Sequence, residues 1–77
     1  MQKIRPDLDI GINISKLRKK LKLTQDDVVG KMQLMGIDIT RSSYAKIETN
    51  RMNVKVSELV ALREIFQIDF NDFFKGL

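Results

Sequence analysis

Neither cysteine nor histidine occurs among the 77 residues. The first absence excludes a disulfide framework and a thiolate metal site. The second removes the usual zinc ligand and the usual general base at neutral pH. There is no glycine-rich phosphate loop and the carboxylates are scattered, so an enzyme has little to stand on. The adjacent Asp26-Asp27 reads as compensation of a helix dipole rather than as a metal pair, and neither metal nor cofactor is expected. No apolar run is long enough to span a bilayer. Met1 to Asp9 carries charges where a signal peptide has its apolar stretch, which points to a cytoplasmic protein. A single proline and 43% hydrophobic residues argue against a disordered tail and for one small helical domain. At this length one core is only just sufficient, so packing must supply the stability, with dimerisation as a further source.

The formal charge is +4 and unevenly placed. Residues 1–55 hold twelve Lys/Arg against six Asp/Glu, a net of +6, whereas residues 56–77 hold two against four, a net of −2. Such a split describes a basic working surface on a neutral-to-acidic support. Many soluble domains are this basic, so the split alone does not identify nucleic acid.

Met1 to Asp9 reads as a lead-in arm, with Pro6 disfavouring helix at Arg5, and residues 10–77 as the folded domain. Ile10, Ile14, Leu17 and Leu21 form one helical stripe, which Asp9 can cap although Gly11 weakens the first turn. Lys16, Lys19, Lys20 and Lys22 lie off it, as a solvated face or as phosphate contacts. Thr24-Gln25-Asp26-Asp27 is a helix start, with Thr24 as N-cap and the two aspartates at the positive end of the dipole. Val28, Met32 and Met35 follow as core positions, and Gly36 is the natural stop. Thr40 is a second N-cap, opening a helix that ends near Thr49-Asn50, where asparagine tolerates a left-handed conformation. Met52 to Lys55 make a loop. Ser57 or a neighbour starts a helix carrying Leu59, Leu62, Ile65 and Phe66 inward. Asp69 and Asp72 resemble a capping box for a last short helix with Phe70, Phe73 and Phe74 on one face, either closing the core or forming a dimer contact. The expectation is an all-α domain of five short helices, two of which, 24–36 and 40–48, form a helix-turn-helix.

The most informative segment is Thr40-Arg41-Ser42-Ser43-Tyr44-Ala45-Lys46-Ile47-Glu48. Read as a helix, it buries Tyr44 and Ile47 and leaves Arg41, Ser42, Ala45 and Lys46 on the opposite side. That face is small, basic and rich in hydrogen-bond donors, so it suits a DNA major groove. The same face also suits plain water.

Ile10-Gly11 with Ile14, Leu17 and Arg18, then Leu23-Thr24-Gln25, Thr40-Arg41-Ser42 with Tyr44, Lys46-Ile47-Glu48, and Ile68-Asp69-Phe70-Asn71-Asp72-Phe73-Phe74 occur in one order and near-regular spacing. In this the chain resembles the phage repressor and Cro-type (XRE-like) helix-turn-helix domains, from about Ile10 to Phe74. The resemblance implies a five-helix, lambda-repressor-like fold. It implies base contacts from Arg41, Ser42 and Lys46, and backbone contacts from Gln25, Thr40, Thr49, Asn50, Arg51 and Asn53. It also implies an ion pair between Arg18 and Glu48, which chemistry supports because an apolar-flanked arginine needs a carboxylate. The chain departs from the family between Met32 and Thr40, which are about a turn and a half further apart than the common pattern. An extended second helix with its turn displaced to Gly36-Ile37 is expected. Asn50 also replaces a glycine often found there.

These readings together imply sequence-specific binding of double-stranded DNA by a bacterial or phage transcriptional regulator, a repressor in the first instance. A homodimer is expected, through the last helix with Phe70, Phe73, Phe74 and Leu77. The alternative is a protein-interaction module of the same fold, antitoxin-like or an assembly subunit, that does not read DNA.

Overall fold

The computed structural model describes residues 10–76. The lead-in arm over 1–9, with Asp9 as a cap, and Leu77 as a dimer residue lie outside the described residues. Four α-helices follow in order, α1 (Ile10–Lys20), α2 (Gln25–Leu34), α3 (Arg41–Glu48) and α4 (Val56–Phe66), and a 3₁₀ turn (Phe70–Phe74) closes the domain. No strand occurs among the described residues. The expected fifth helix is therefore corrected to a single tight turn. Its five residues follow the 3₁₀ path, in which Asp72 N donates to Asp69 O in the i→i+3 pattern.

Local chemistry sets where each helix starts. Thr24 Oγ1 accepts from Asp27 N at 3.0 Å, and Asp27 Oδ2 accepts from Thr24 N at 2.9 Å, a reciprocal capping box. Thr40 Oγ1 accepts from Ser43 N at 3.1 Å and caps α3. α4 starts one residue earlier than Ser57, at Val56, because Glu58 Oε1 reaches back to the Lys55 amide at 2.7 Å.

All four helices end on a left-handed residue, Lys22, Gly36, Asn50 and Gln67 in turn. At α2, Gly36 N donates to Gln33 O and Ile37 N to Met32 O, the paired bonds of a Schellman motif. α3 closes the same way, with Asn50 N on Ile47 O and Arg51 N on Lys46 O. These stops explain two departures from the expected stripes. α1 ends at Lys20, which leaves Leu21 46% exposed, and α2 ends at Leu34 rather than at residue 36, which leaves Met35 42% exposed.

Ile14, Val28, Met32, Tyr44, Leu62 and Phe73 are fully buried and draw every helix and the terminal turn onto one core. Burying each such apolar side chain is worth about 1.5–3 kcal/mol. The three terminal phenylalanines do not share one face, since the 3₁₀ turn pairs Phe70 with Phe73, ring centroids 6.4 Å apart, and leaves Phe74 off that side. Phe73 is enclosed, whereas Phe70 and Phe74 are 42% and 43% exposed and the Arg63 guanidinium sits 5.1 Å over the Phe70 ring. A 3₁₀ turn has three residues per turn, so it cannot stack residues four apart as an α-helix does. Asn13 on α1 pins this turn by donating to Phe73 O at 2.8 Å and Lys75 O at 3.0 Å.

α1 starts against the end of α3. Gly11 N donates to Asn50 Oδ1 at 3.1 Å. A Cβ on Gly11 would collide with Ile47 O and lie 2.7 Å from Glu48 O. Glycine is thus required here by the approach of two backbones, and the helical weakness it brings is tolerated. Gly30 in α2 has nothing within 4 Å of an added Cβ. Gly11→Ala is expected to destabilise the domain by about 1–3 kcal/mol and Gly30→Ala to stabilise it by about 0.5–1 kcal/mol. Urea unfolding of both variants checks this, and a neutral Gly11→Ala would contradict the close packing.

Candidate nucleic-acid interface

The deepest polar contact of the domain lies behind α3. Arg18 Nε donates to Glu48 Oε2 at 2.7 Å and Nη2 to Oε1 at 3.1 Å, a two-point contact between α1 and the last residue of α3. Their side chains are only 11% and 5% exposed. Further bonds support the pair, as Arg18 Nη1 donates to Leu23 O at 2.8 Å and Gln25 Nε2 donates to Glu48 Oε1 at 2.9 Å, so every nitrogen of Arg18 and both oxygens of Glu48 have a partner. Burial pushes the Glu48 carboxyl up, but the hydrogen bonds, led by that from Arg18, outweigh it and hold the group below its ordinary value. The same bond from Glu48 raises Arg18, against the opposing effect of burial. Tyr44 is fully enclosed beside the pair. Burial first, and the Glu48 carboxylate second, push its phenol up, and the hydroxyl has no hydrogen bond of good geometry among the described residues.

Gln25 carries this contact outward. Its Oε1 accepts from Arg41 Nε at 3.0 Å, and Arg41 Nη1 reaches Asp26 Oδ1 at 3.0 Å. One unbroken chain of bonds thus runs from Arg18 in the interior through Glu48 and Gln25 to Arg41, the first residue of α3. Arg41, Ser42 and Lys46 are exposed and Ala45 half-buried on the side of α3 away from Tyr44 and Ile47. No bulky apolar side chain interrupts that face.

The other expected contact residues surround the ends of α3. The Thr40 hydroxyl caps α3. The Thr49 hydroxyl lies 3.2 Å from both Ala45 O and Lys46 O and accepts from Arg51 Nε at 2.9 Å, which lays Arg51 along the end of α3. Asn50 is left-handed at φ 60° and spends its carbonyl on Gly11, leaving its NH₂ group to donate. Asn53 is exposed in the loop before α4. Two contributors had no clear sequence signal. Asp26, read as a dipole residue, is the ion partner of Arg41. Gln33, whose Nε2 donates to Ile39 O at 2.9 Å, holds the segment between α2 and α3.

Two capped helices, joined through a glycine turn and held by shared core residues, with the polar side of the second left open, make a helix-turn-helix unit. The chain matches the family model described as "Helix-turn-helix domain" over residues 11–76 and belongs to that family. This is consistent with the XRE-like resemblance. No curated protein and no solved structure matches the chain.

Removing Glu48 strands a buried guanidinium, so Glu48→Ala should cost about 3–5 kcal/mol in denaturant unfolding. Arg18→Met with Glu48→Leu, which removes both charges, should recover most of that loss. A cost near that of an exposed pair, below about 1 kcal/mol, would contradict the burial. The pH dependence follows from the depressed carboxyl. Its contribution is complete above the ordinary value of 4.5 and is lost as pH falls from there through the lower folded value. The doubly substituted protein should lose less stability across that window.

Proposed function

We propose that the domain binds double-stranded DNA sequence-specifically as a transcriptional regulator, with a repressor as the simplest form. The observation that carries this reading is the open, basic face of α3, fixed at both ends to the interior. A helix that is to read base edges needs small and donor-rich side chains on its outward face and a defined orientation behind it. Arg41 suits a two-point contact to guanine, and Ser42 and Lys46 lie on the same face for base edges. Gln25, Thr40, Thr49, Asn50, Arg51 and Asn53 surround that face for phosphate contacts, which set register and add affinity without reading sequence. The second N–H of Gln25 Nε2, the NH₂ group of Asn50, the Nη groups of Arg51 and the side-chain amide of Asn53 are among the donors left for this. The mild basic excess of residues 1–55 supports the same face.

Two copies on half-sites roughly 34–36 Å apart complete the reading, since a two-fold dimer reads a palindrome. Phe70 and Phe74 are the terminal phenylalanines with surface to offer such a contact, Phe73 being enclosed.

Selection of bound sequences from a random duplex pool tests this. A palindromic consensus is expected, with affinity falling by about 10³–10⁵ between roughly 50 and 200 mM salt if 6–10 phosphates are contacted. A consensus of one half-site would remove the dimer. No enrichment would favour the interaction module instead. On the selected duplex, Arg41→Ala should cost about 1–3 kcal/mol and relax the preference at one base pair. An equal loss on every sequence would make Arg41 a phosphate contact.

A further inference from the structure

Asp26 sets a carboxylate, 74% exposed, beside the very face assigned to a polyanion. Its neighbour Asp27 already serves the helix, closing the capping box with Thr24 and held below its ordinary pKa by the Thr24 amide. The Asp26 carboxylate has no part in that cap. Its contact is with Arg41, whose Nη1 lies 3.0 Å from Oδ1 while Nε is held by Gln25.

We infer that Asp26 is a specificity-determining positioning residue, a clasp that orients Arg41 for one base pair and opposes indiscriminate binding to phosphate. The inference rests on the DNA-binding reading above. A free arginine on a surface spreads over many rotamers, and fixing it costs entropy at the moment of binding. With Nε on Gln25 and Nη1 on Asp26, two of its donor atoms are already placed by the first turn of α2. Nη2 and the second N–H of Nη1 carry no hydrogen bond among the described residues and remain for the two-point contact to a base edge. A phosphate at the same place meets an opposing charge and a guanidinium already engaged. A correctly placed guanine instead meets an arginine that need not be rearranged. Asp26 therefore lowers affinity for any DNA and lowers it most for the wrong DNA.

The test compares Asp26→Asn and Asp26→Ala with wild type, on the selected duplex and on a scrambled one. Glu64→Gln on α4 is the control that removes one negative charge elsewhere. Both Asp26 variants should bind scrambled duplex more tightly while the ratio of selected to scrambled affinity falls about two- to five-fold, the worth of an exposed ion pair. Base preference at the pair that Arg41 reads should loosen, a change that Glu64→Gln should not produce. Equal gains on both duplexes, matching Glu64→Gln and with base preference unchanged, would overturn the inference and leave Asp26 as net charge alone. A wild-type protein without preference between the duplexes would instead overturn the DNA-reading proposal itself, and this inference with it.

Discussion

A buried arginine and a buried glutamate, Arg18 and Glu48, set the terms for the rest of the domain. Two charges that are 11% and 5% exposed carry a desolvation cost that only close and complete pairing offsets. That requirement joins α1 to the end of α3, and the Leu23 carbonyl and Gln25 amide extend it to the turn after α1 and to the start of α2. Apolar packing tolerates small shifts and repacking. A two-point guanidinium–carboxylate contact does not, because its geometry is planar and both partners are costly to strand. The pair therefore limits α1, α2 and α3 to one mutual arrangement, and the outward face of α3 inherits that precision.

A second constraint works at the backbone. The start of α1 lies against the carbonyls that end α3, and the Gly11 amide, left open by its own helix, is met by the Asn50 side-chain oxygen. Only glycine at position 11 permits that approach. Asn50 serves both sides, closing α3 in the left-handed conformation and accepting from the Gly11 amide. A glycine at position 50 would close α3 equally well but would leave that amide without its partner. Asparagine at this position is thus a tether as well as a cap.

Features that depend on a few neighbouring residues were legible in the sequence. The caps at Thr24 and Thr40, the stop at Gly36 and the left-handed Asn50 all follow from side chains acting within their own turn. Features that depend on distant partners were not. Gly11 looks like a weakness in α1 until the α3 carbonyls are placed beside it. Asp26 looks like a dipole residue until α3 brings Arg41 within 3.0 Å. The terminal phenylalanines look like one α-helical face, but the tighter 3₁₀ path pairs Phe70 with Phe73 and leaves Phe74 off that side. The outward face of α3 was legible as a pattern, because burial of Tyr44 and Ile47 dictates what remains outside. Its fixation through Gln25 is a tertiary fact.

If α3 is the recognition helix, it and the residues at its ends meet DNA while the terminal 3₁₀ turn does not. Titration of the labelled protein with its selected duplex, followed by backbone amide NMR, tests this most directly. The expected shifts are concentrated at 24–27, 40–46 and 49–53, with the enclosed Phe73 and its turn little changed at a single half-site. Shifts centred on Phe70–Phe74 with α3 silent would rule out α3 as the DNA-reading helix.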